Sequence, residues 1–234
     1  MSPRAVLVLA ASLVATVAVF AAYLLSERDG DDGPSGPAPA AGDRVPLDAE
    51  GAPDEGWIEQ TATDQAIPLR AMQAYAAAEV AADRDIPTCN LRWNTIAGIG
   101  SVESAHGTLG GAGLEADGTP DTPIIGPALD GTNGTRAIPA TEASTALHGD
   151  EEWDHAVGPF QFLTSSWERY GADGDGDGVK DPNDIDDAAR GAVNHLCEAG
   201  HDLAGDGWVP AVFSYNNSMQ YVERVREIAD SYAG

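Results

Sequence analysis

Lysine is almost missing from this chain: Lys180 is the only one, and 12 basic residues face 38 acidic ones for a formal net charge of −26. A surface of that sign repels nucleic acid and anionic lipid, which removes both from the partner classes. It leaves open a neutral or mixed-charge polymer, and it favours solubility. Aromatic residues are sparse at 6%, yet a hydrophobic content of 43% supports a real core. The chain has no His-Glu-x-x-His run, and its 5 histidines are scattered without ligand spacing, which argues against a catalytic zinc site. Internal repeats and sustained strand alternation are also missing. Cysteine is limited to Cys89 and Cys197, so one intramolecular pairing is possible. The alternatives are one bridge or two buried thiols, and an exported domain favours the bridge.

The longest apolar run spans residues 5–25, interrupted only by Ser12 and Thr16. That length suits a bilayer-crossing helix. Arg4 before it and the acidic stretch after it predict an N-in, C-out anchor. A cleavable signal segment is the alternative, but no clear Ala-x-Ala site precedes the acids. Either way the domain is exported, to the extracytoplasmic face of the cell membrane or beyond it. Residues 26–56 are rich in Asp, Gly, Pro and Ala and read as a flexible linker. The globular domain is expected over 57–234 as a monomer.

Within it the class is all-α with long irregular loops. Helices are expected over 67–83, 91–104, 165–170, 185–199, 209–215 and 219–232, from apolar stripes of helical period. Ser165-Ser166-Trp167-Glu168 fits a capping box. Residues 107–139 are rich in Gly, Pro, Thr and Asp, a loop long enough to suggest the rim of a cleft.

Glu103 stands out because it is the only charged residue between Arg92 and Glu115. It follows the apolar run Ile96-Ala97-Gly98-Ile99-Gly100-Ser101-Val102. Desolvation there raises a carboxyl pKa, which suits a general acid. A helix-face carboxylate in water is the plainer reading.

The run Asp173-Gly174-Asp175-Gly176-Asp177-Gly178-Val179-Lys180-Asp181-Pro182-Asn183-Asp184 has EF-hand-like spacing. Asp173, Asp175, Asp177, Asp181 and Asp184 are the carboxylate ligands expected, with the Val179 carbonyl between them. Many flexible oxygen ligands favour Ca2+ over magnesium, in a structural role. The last ligand is Asp rather than the usual Glu, and Lys180 replaces the usual apolar residue. A solvated acidic turn is the alternative.

These elements occur in a fixed order: Glu103-Ser104, then Ala156-Val157-Gly158-Pro159-Phe160-Gln161-Phe162, the Ser165-Ser166-Trp167 turn, the acidic loop, and Tyr215-Asn216-Asn217-Ser218 with Tyr221 behind. That order, over about 66–232, resembles the membrane-bound lytic murein transglycosylase B family, which cuts peptidoglycan glycan strands. Pro123-Ile124-Ile125-Gly126-Pro127-Ala128-Leu129-Asp130-Gly131 resembles a segment of its Gram-positive, actinobacterial-type members. The acidic loop is shorter than in the best-known Gram-negative relatives, and Phe160 stands where those often carry glycine.

The resemblance implies a lysozyme-like fold with a sugar groove, Glu103 as the single catalytic residue, and Ser104, Gln161, Tyr215, Asn216 and Tyr221 against substrate. The tyrosines would pack on sugar faces or orient Glu103, with plain core packing as their alternative, and a backbone-satisfying amide is the alternative for Gln161. For Ser165 a helix-cap role is preferred to a groove role. The implied reaction breaks the MurNAc–GlcNAc bond and leaves 1,6-anhydro-MurNAc, with the substrate's acetamido group replacing a second carboxylate. The competing expectations are a hydrolytic muramidase, which needs a second acid from residues 117–130, and a calcium-stabilised wall-binding or adhesion module without catalysis.

Overall fold

The computed structural model describes residues 34–132 and 135–233, so the expected membrane segment lies outside the described residues. Among those described, no helix is long and apolar enough to cross a membrane. Secondary structure there is helical, with only isolated β-bridges in the loops.

Helix α1 (Glu55–Asp64) starts at Asp54, whose carboxylate accepts from the Trp57 amide, a cap that satisfies one orphan donor. The sequence reading missed this helix because its apolar stripe is short: only Ile58 and Ala62 are buried. Helix α2 (Leu69–Asp85) follows Pro68 and stops before Pro87, as expected. Its alanines bring it close to its neighbours, and Met72 and Tyr75 fill the centre of the core.

Helix α3 (Trp93–Ser104) is buried nearly all round. Helix α4 (Glu142–His148), also unforeseen, is held by a capping box between Thr141 and Ser144. Helix α5 (Thr164–Tyr170) begins one residue earlier than expected. Its N-cap is Leu163, with no side-chain cap bond, so Ser165 is an exposed helical residue and not a cap. Thr164 displaces it because its hydroxyl donates to the buried Asp154 carboxylate at 3.3 Å.

Helices α6 (Ile185–Cys197), α7 (Trp208–Tyr215) and α8 (Met219–Ser231) close the domain. The main packings set α2 against α6 and α3 against α8. Gly98 permits the second approach: a Cβ there would lie 3.1 Å from the Val225 carbonyl oxygen. Trp208 is fully buried and its indole donates to Thr95 Oγ1 at 3.0 Å, which ties α7 to α3.

The described part of the 26–56 segment lies against the domain. Ala40 N donates to Asp230 Oδ1 at 2.6 Å, and Asn94 Nδ2 donates to the Ala40 carbonyl at 3.0 Å. Val45 is buried, and its amide donates to Glu79 Oε1 at 3.1 Å. The other oxygen of Glu79 accepts from the Trp93 amide, the first residue of α3, at 2.6 Å. A wholly buried glutamate thus joins the strap, α2 and the start of α3. Burial pushes its pKa up, against the pull of these two amide donors. Composition alone misses such a strap because its affinity lies in backbone groups.

Cys89 and Cys197 form a disulfide with Cα atoms 5.6 Å apart at a sequence separation of 108, joining the turn before α3 to the end of α6. In the chain-entropy model, closing so long a loop stabilises by about 4–5 kcal/mol. The double change Cys89→Ser/Cys197→Ser is therefore expected to lower the unfolding free energy by about that much. Guanidinium titrations of parent and variant under oxidising conditions measure it.

Candidate active site

The last turn of α3 carries Glu103 into the core at 5% exposure. Its Oε1 accepts a hydrogen bond from the Tyr221 hydroxyl of α8 at 2.6 Å, and its Oε2 is buried without a hydrogen-bond partner among the described residues. Burial dominates and pushes the carboxyl up to about 8, against the opposing pull of Tyr221. Because Tyr221 donates to Oε1, a proton on the carboxyl belongs on Oε2, the oxygen with nothing to donate to. A buried polar atom in that condition is costly and calls for an explanation.

Tyr215, from the end of α7, stacks at 6.5 Å and 7° on Tyr221. On its other side lies His195 of α6, at 5.0 Å. The Tyr215 hydroxyl donates to the Phe160 carbonyl at 2.9 Å. Burial first, and then the nearby Glu103, push both phenols well above their usual range, so they stay neutral donors. Burial also lowers the His195 pKa to about 4, leaving a neutral ring in the stack.

Three further residues expected at substrate find other partners. Ser104 is buried, donating to the Pro159 carbonyl at 2.6 Å and accepting from the Gly107 amide at 2.8 Å. It clamps α3 to the 156–162 segment. Tyr221 is equally enclosed, and its hydroxyl orients Glu103, the second of the two roles expected of it. Gln161 sits in the left-handed region at φ 48°, and its amide NH2 donates to Gly158 O at 2.9 Å and Ile124 O at 3.4 Å. The plainer expectation for Gln161, an amide satisfying loop backbone, describes that nitrogen. Asn216 is half-buried at the end of α7, beside Tyr215 in the chain.

Of the acids weighed as a second catalytic group, Asp117 accepts from Thr119 and Asp130 from Thr132, each in its own turn. Hydrogen bonds from those threonines hold both carboxyls below the usual range.

Two residues that support the site had no role assigned to them from the sequence, although Gly158 lies in the quoted 156–162 run. His155 contacts the Gly126 carbonyl through Nδ1 at 2.7 Å and Asp150 Oδ2 through Nε2 at 3.1 Å, joining the 124–130 and 150–157 segments. Gly158 (φ 76°) lies against the acidic loop, where an added Cβ would fall 1.8 Å from the Pro182 carbonyl oxygen. The turn that carries Gln161 therefore rests directly on that loop.

In the acidic loop, carboxylate oxygens of Asp173, Asp175 and Asp177 lie within 4.8 Å of one another. Asp181 is engaged by Asn183 in a turn of its own, and Val179 is exposed. Asp184 departs from expectation. Its carboxylate turns away to cap α6, accepting from the Asp186 amide at 2.7 Å and the Asp187 amide at 3.3 Å. A helix N-terminus offers fixed donors that outcompete a loop interior. Asp187 reaches into the loop instead, accepting from Gly174 N at 2.5 Å and Asp181 N at 2.7 Å. Spacing rules stop one helical turn short of it.

Residues 150–212 match the family model of the transglycosylase SLT domain. The match covers Gln161 and the acidic loop, and it includes neither Glu103 nor Tyr215. Among solved structures the chain is similar to SltB3 from Pseudomonas aeruginosa in complex with NAG-anhNAM-pentapeptide, at 18% identity and a TM-score of 0.42, over 76% of this chain and 67% of that one. No curated protein sequence matches.

The buried carboxyl has a stability signature. An acid whose folded pKa lies near 8, above its ordinary 4.5, holds its proton more tightly folded than unfolded. Its contribution is fully present below about pH 4.5 and is lost as pH climbs toward about 8. Glu103→Gln removes that loss. The variant is expected to match the parent's pH trend below about pH 4.5, then gain on it steadily, reaching about 1–3 kcal/mol by pH 8. Denaturant melts across that range measure the difference, and a pH-independent gap would mean that Glu103 titrates like an exposed acid.

Proposed function

We propose that the protein is a peptidoglycan lytic transglycosylase of lysozyme-like fold, akin to the membrane-bound lytic transglycosylase B family and its actinobacterial-type members. The observation that carries this reading is Glu103: a carboxyl buried at the end of α3, pushed up to about 8, with one oxygen fixed by Tyr221 and the other unpartnered. The transglycosylase-domain match over 150–212 supports the substrate class.

In this mechanism Oε2 of Glu103 delivers its proton to the oxygen between N-acetylmuramic acid and N-acetylglucosamine, which then leaves as an alcohol. The acetamido oxygen of the muramic sugar attacks the anomeric carbon from the opposite face, so no enzyme nucleophile is required. Glu103, now a carboxylate, takes the proton of the sugar's own 6-hydroxyl. That oxygen closes onto the anomeric carbon and displaces the acetamido group, giving the 1,6-anhydro end. Being held in the same molecule replaces a bimolecular attack by water.

Tyr221 steadies the carboxylate between the two proton transfers. Tyr215 lines up Tyr221 on one side and the Phe160–Gln161 backbone on the other. Asn216 and the Gln161 amide oxygen are the groups available to sugar hydroxyl or acetamido donors. Since Glu103 is only 5% exposed, the leaving oxygen must displace neighbouring atoms to reach it. Of the three acids that a hydrolytic alternative could use, Asp117 and Asp130 are engaged in their own turns, and the exposed Asp121 is the one left to it.

The acidic loop is read as a structural calcium site. Asp173, Asp175, Asp177, the Val179 carbonyl and Asp187, in place of Asp184, would hold the ion, which would neutralise their mutual repulsion. The fit rests on Asp187, a carboxyl raised first by burial and further by Asp175 and Asp173, the situation a divalent cation relieves. The N-terminal segment is read as a membrane anchor that holds a monomeric domain on the extracytoplasmic face, with residues 34–54 as a strap rather than free linker.

The parent enzyme is expected to release wall fragments whose mass is one water below that of hydrolysed ends. Glu103→Gln is expected to lower the rate about 10²–10⁴-fold, and reducing ends alone in the parent digest would overturn the transglycosylase reading. Because the acid must start protonated, parent activity should fall as pH rises through about 8. A chelator should lower the thermal midpoint and added calcium restore it, and Asp187→Asn should abolish that response while Asp184→Asn leaves a calcium response in place.

A further inference from the structure

His155 has a hydrogen-bond acceptor at each ring nitrogen. Nδ1 lies 2.7 Å from the Gly126 carbonyl and Nε2 lies 3.1 Å from Asp150 Oδ2. Neither partner can donate. Asp150 is ionised throughout the neutral range, since the Glu152 amide first, and then His155, hold its carboxyl down at about 2. Both nitrogens therefore carry hydrogen, and a ring with two N–H groups is an imidazolium. The neighbouring histidine differs. His148 lies against His155 with ring centroids 4.7 Å apart. Its Nδ1 accepts from the Asp150 amide at 3.1 Å, so one hydrogen suffices, on Nε2, which donates to Asp154 Oδ1 at 3.2 Å. The pattern places one positive charge on two adjacent rings and avoids the repulsion that two would bring. Asp154 also accepts from the His155 amide at 2.9 Å. Thr164 of α5 and the 124–129 stretch, which complete the surroundings among the described residues, bring no ionisable side chain.

The Gly126 carbonyl is where this charge meets the candidate active site. Gly126 N donates to the Ala156 carbonyl at 2.8 Å, and Gly158 N donates to the Ile124 carbonyl at 2.8 Å. His155 adds a third, charge-assisted tie between the same two segments. Gly126 also seats Gln161: a Cβ added to this glycine would lie 2.7 Å from Gln161 Oε1. That oxygen is the one assigned above to sugar donors, so a small shift of Gly126 moves a substrate contact. We propose that doubly protonated His155 is a positioning residue, holding Gly126 so that the Gln161 amide oxygen is set for sugar binding. When the ring loses a proton, its two acceptors compete for one hydrogen. Asp150 carries a charge and is the stronger acceptor, which leaves the Gly126 carbonyl facing a bare nitrogen. Histidines change charge between about pH 5 and pH 8, so glycan affinity falls as pH rises across that range. The inference rests on the transglycosylase reading and adds a pH dependence of binding, separate from the proton transfers of Glu103.

The test measures, by calorimetry, the dissociation constant of a GlcNAc–MurNAc oligosaccharide at about pH 5 and about pH 8, the two ends of the histidine range. The full-length protein carries Glu103→Gln, so nothing is cut and the Glu103 carboxyl no longer titrates. In that background unchanged His155 is compared with His155→Arg, which keeps its charge and several donors at both pH values, and with His155→Phe, which has no donor. The unchanged form is expected to bind about five- to tenfold more weakly at the higher pH, the scale of one lost hydrogen bond. His155→Arg is expected to bind tightly at both, and His155→Phe weakly at both. Burial holds His106 and His195 down at about 4, so they stay neutral throughout. Asp184, raised by burial to about 7, is common to every form and cancels. An affinity of the unchanged form that ignores pH, or an equal loss in His155→Arg, would overturn the positioning role while leaving the reaction class intact. Should the arginine lower the thermal midpoint, the other pair decides: unchanged His155 and His155→Phe must differ at the lower pH and converge at the higher, and any other pattern sinks the proposal. No binding by any form at the lower pH would instead remove the substrate class, and the proposal with it.

Discussion

The hydrogen bond from Tyr221 to Glu103 is the contact around which the domain is arranged. A carboxyl this far from water survives only where something else supports it, and the tyrosine supplies a donor without supplying charge. That requirement propagates outward. Tyr221 must come from α8, so α8 must lie close along α3, which Gly98 allows. Tyr215 must stack behind Tyr221, so α7 must end where it does, with His195 of α6 as the next ring. The Phe160 carbonyl then fixes the turn that carries Gln161 to the same stack.

The far end of α3 shows the same logic with opposite chemistry. Glu79 is also buried, but both its oxygens receive backbone amides, from Val45 and Trp93. One helix thus has a satisfied carboxylate at its start and a half-satisfied carboxyl at its end. The first kind of site holds structure together. The second leaves one oxygen without a partner among the described residues, so two glutamates buried inside one core differ in how far they are satisfied.

The acidic loop reaches the centre of the molecule through backbone contact. Gly158 has no side chain because Pro182 occupies that space, so the loop and the Gln161 turn cannot shift independently. Arg70 adds a second brace, its guanidinium paired with Asp186 and donating to the Ala116 carbonyl at 3.1 Å. The acidic loop and the turn that carries Gln161 therefore share one support, with Ala116 of the long loop tied to its edge.

Much was legible from residues alone. The all-α class, six helices and the isolation of Glu103 in apolar surroundings follow from local pattern, because period and desolvation are local properties, and the cysteine pairing followed from there being only two. The helices at Glu55–Asp64 and Glu142–His148 were not legible, since short helices with few buried residues carry little period. Ser104, Ser165, Asp184 and Asp187 show where such reading fails. Each has a side chain suited to several partners, and the choice among them depends on which backbone groups the fold leaves open nearby. The sequence by itself determined which residue would be chemically unusual. Only the tertiary structure decided which oxygen of Glu103 is held, that Ser104 clamps backbone, and that Asp187 rather than Asp184 enters the loop, because directional hydrogen bonds are settled between segments far apart in the chain.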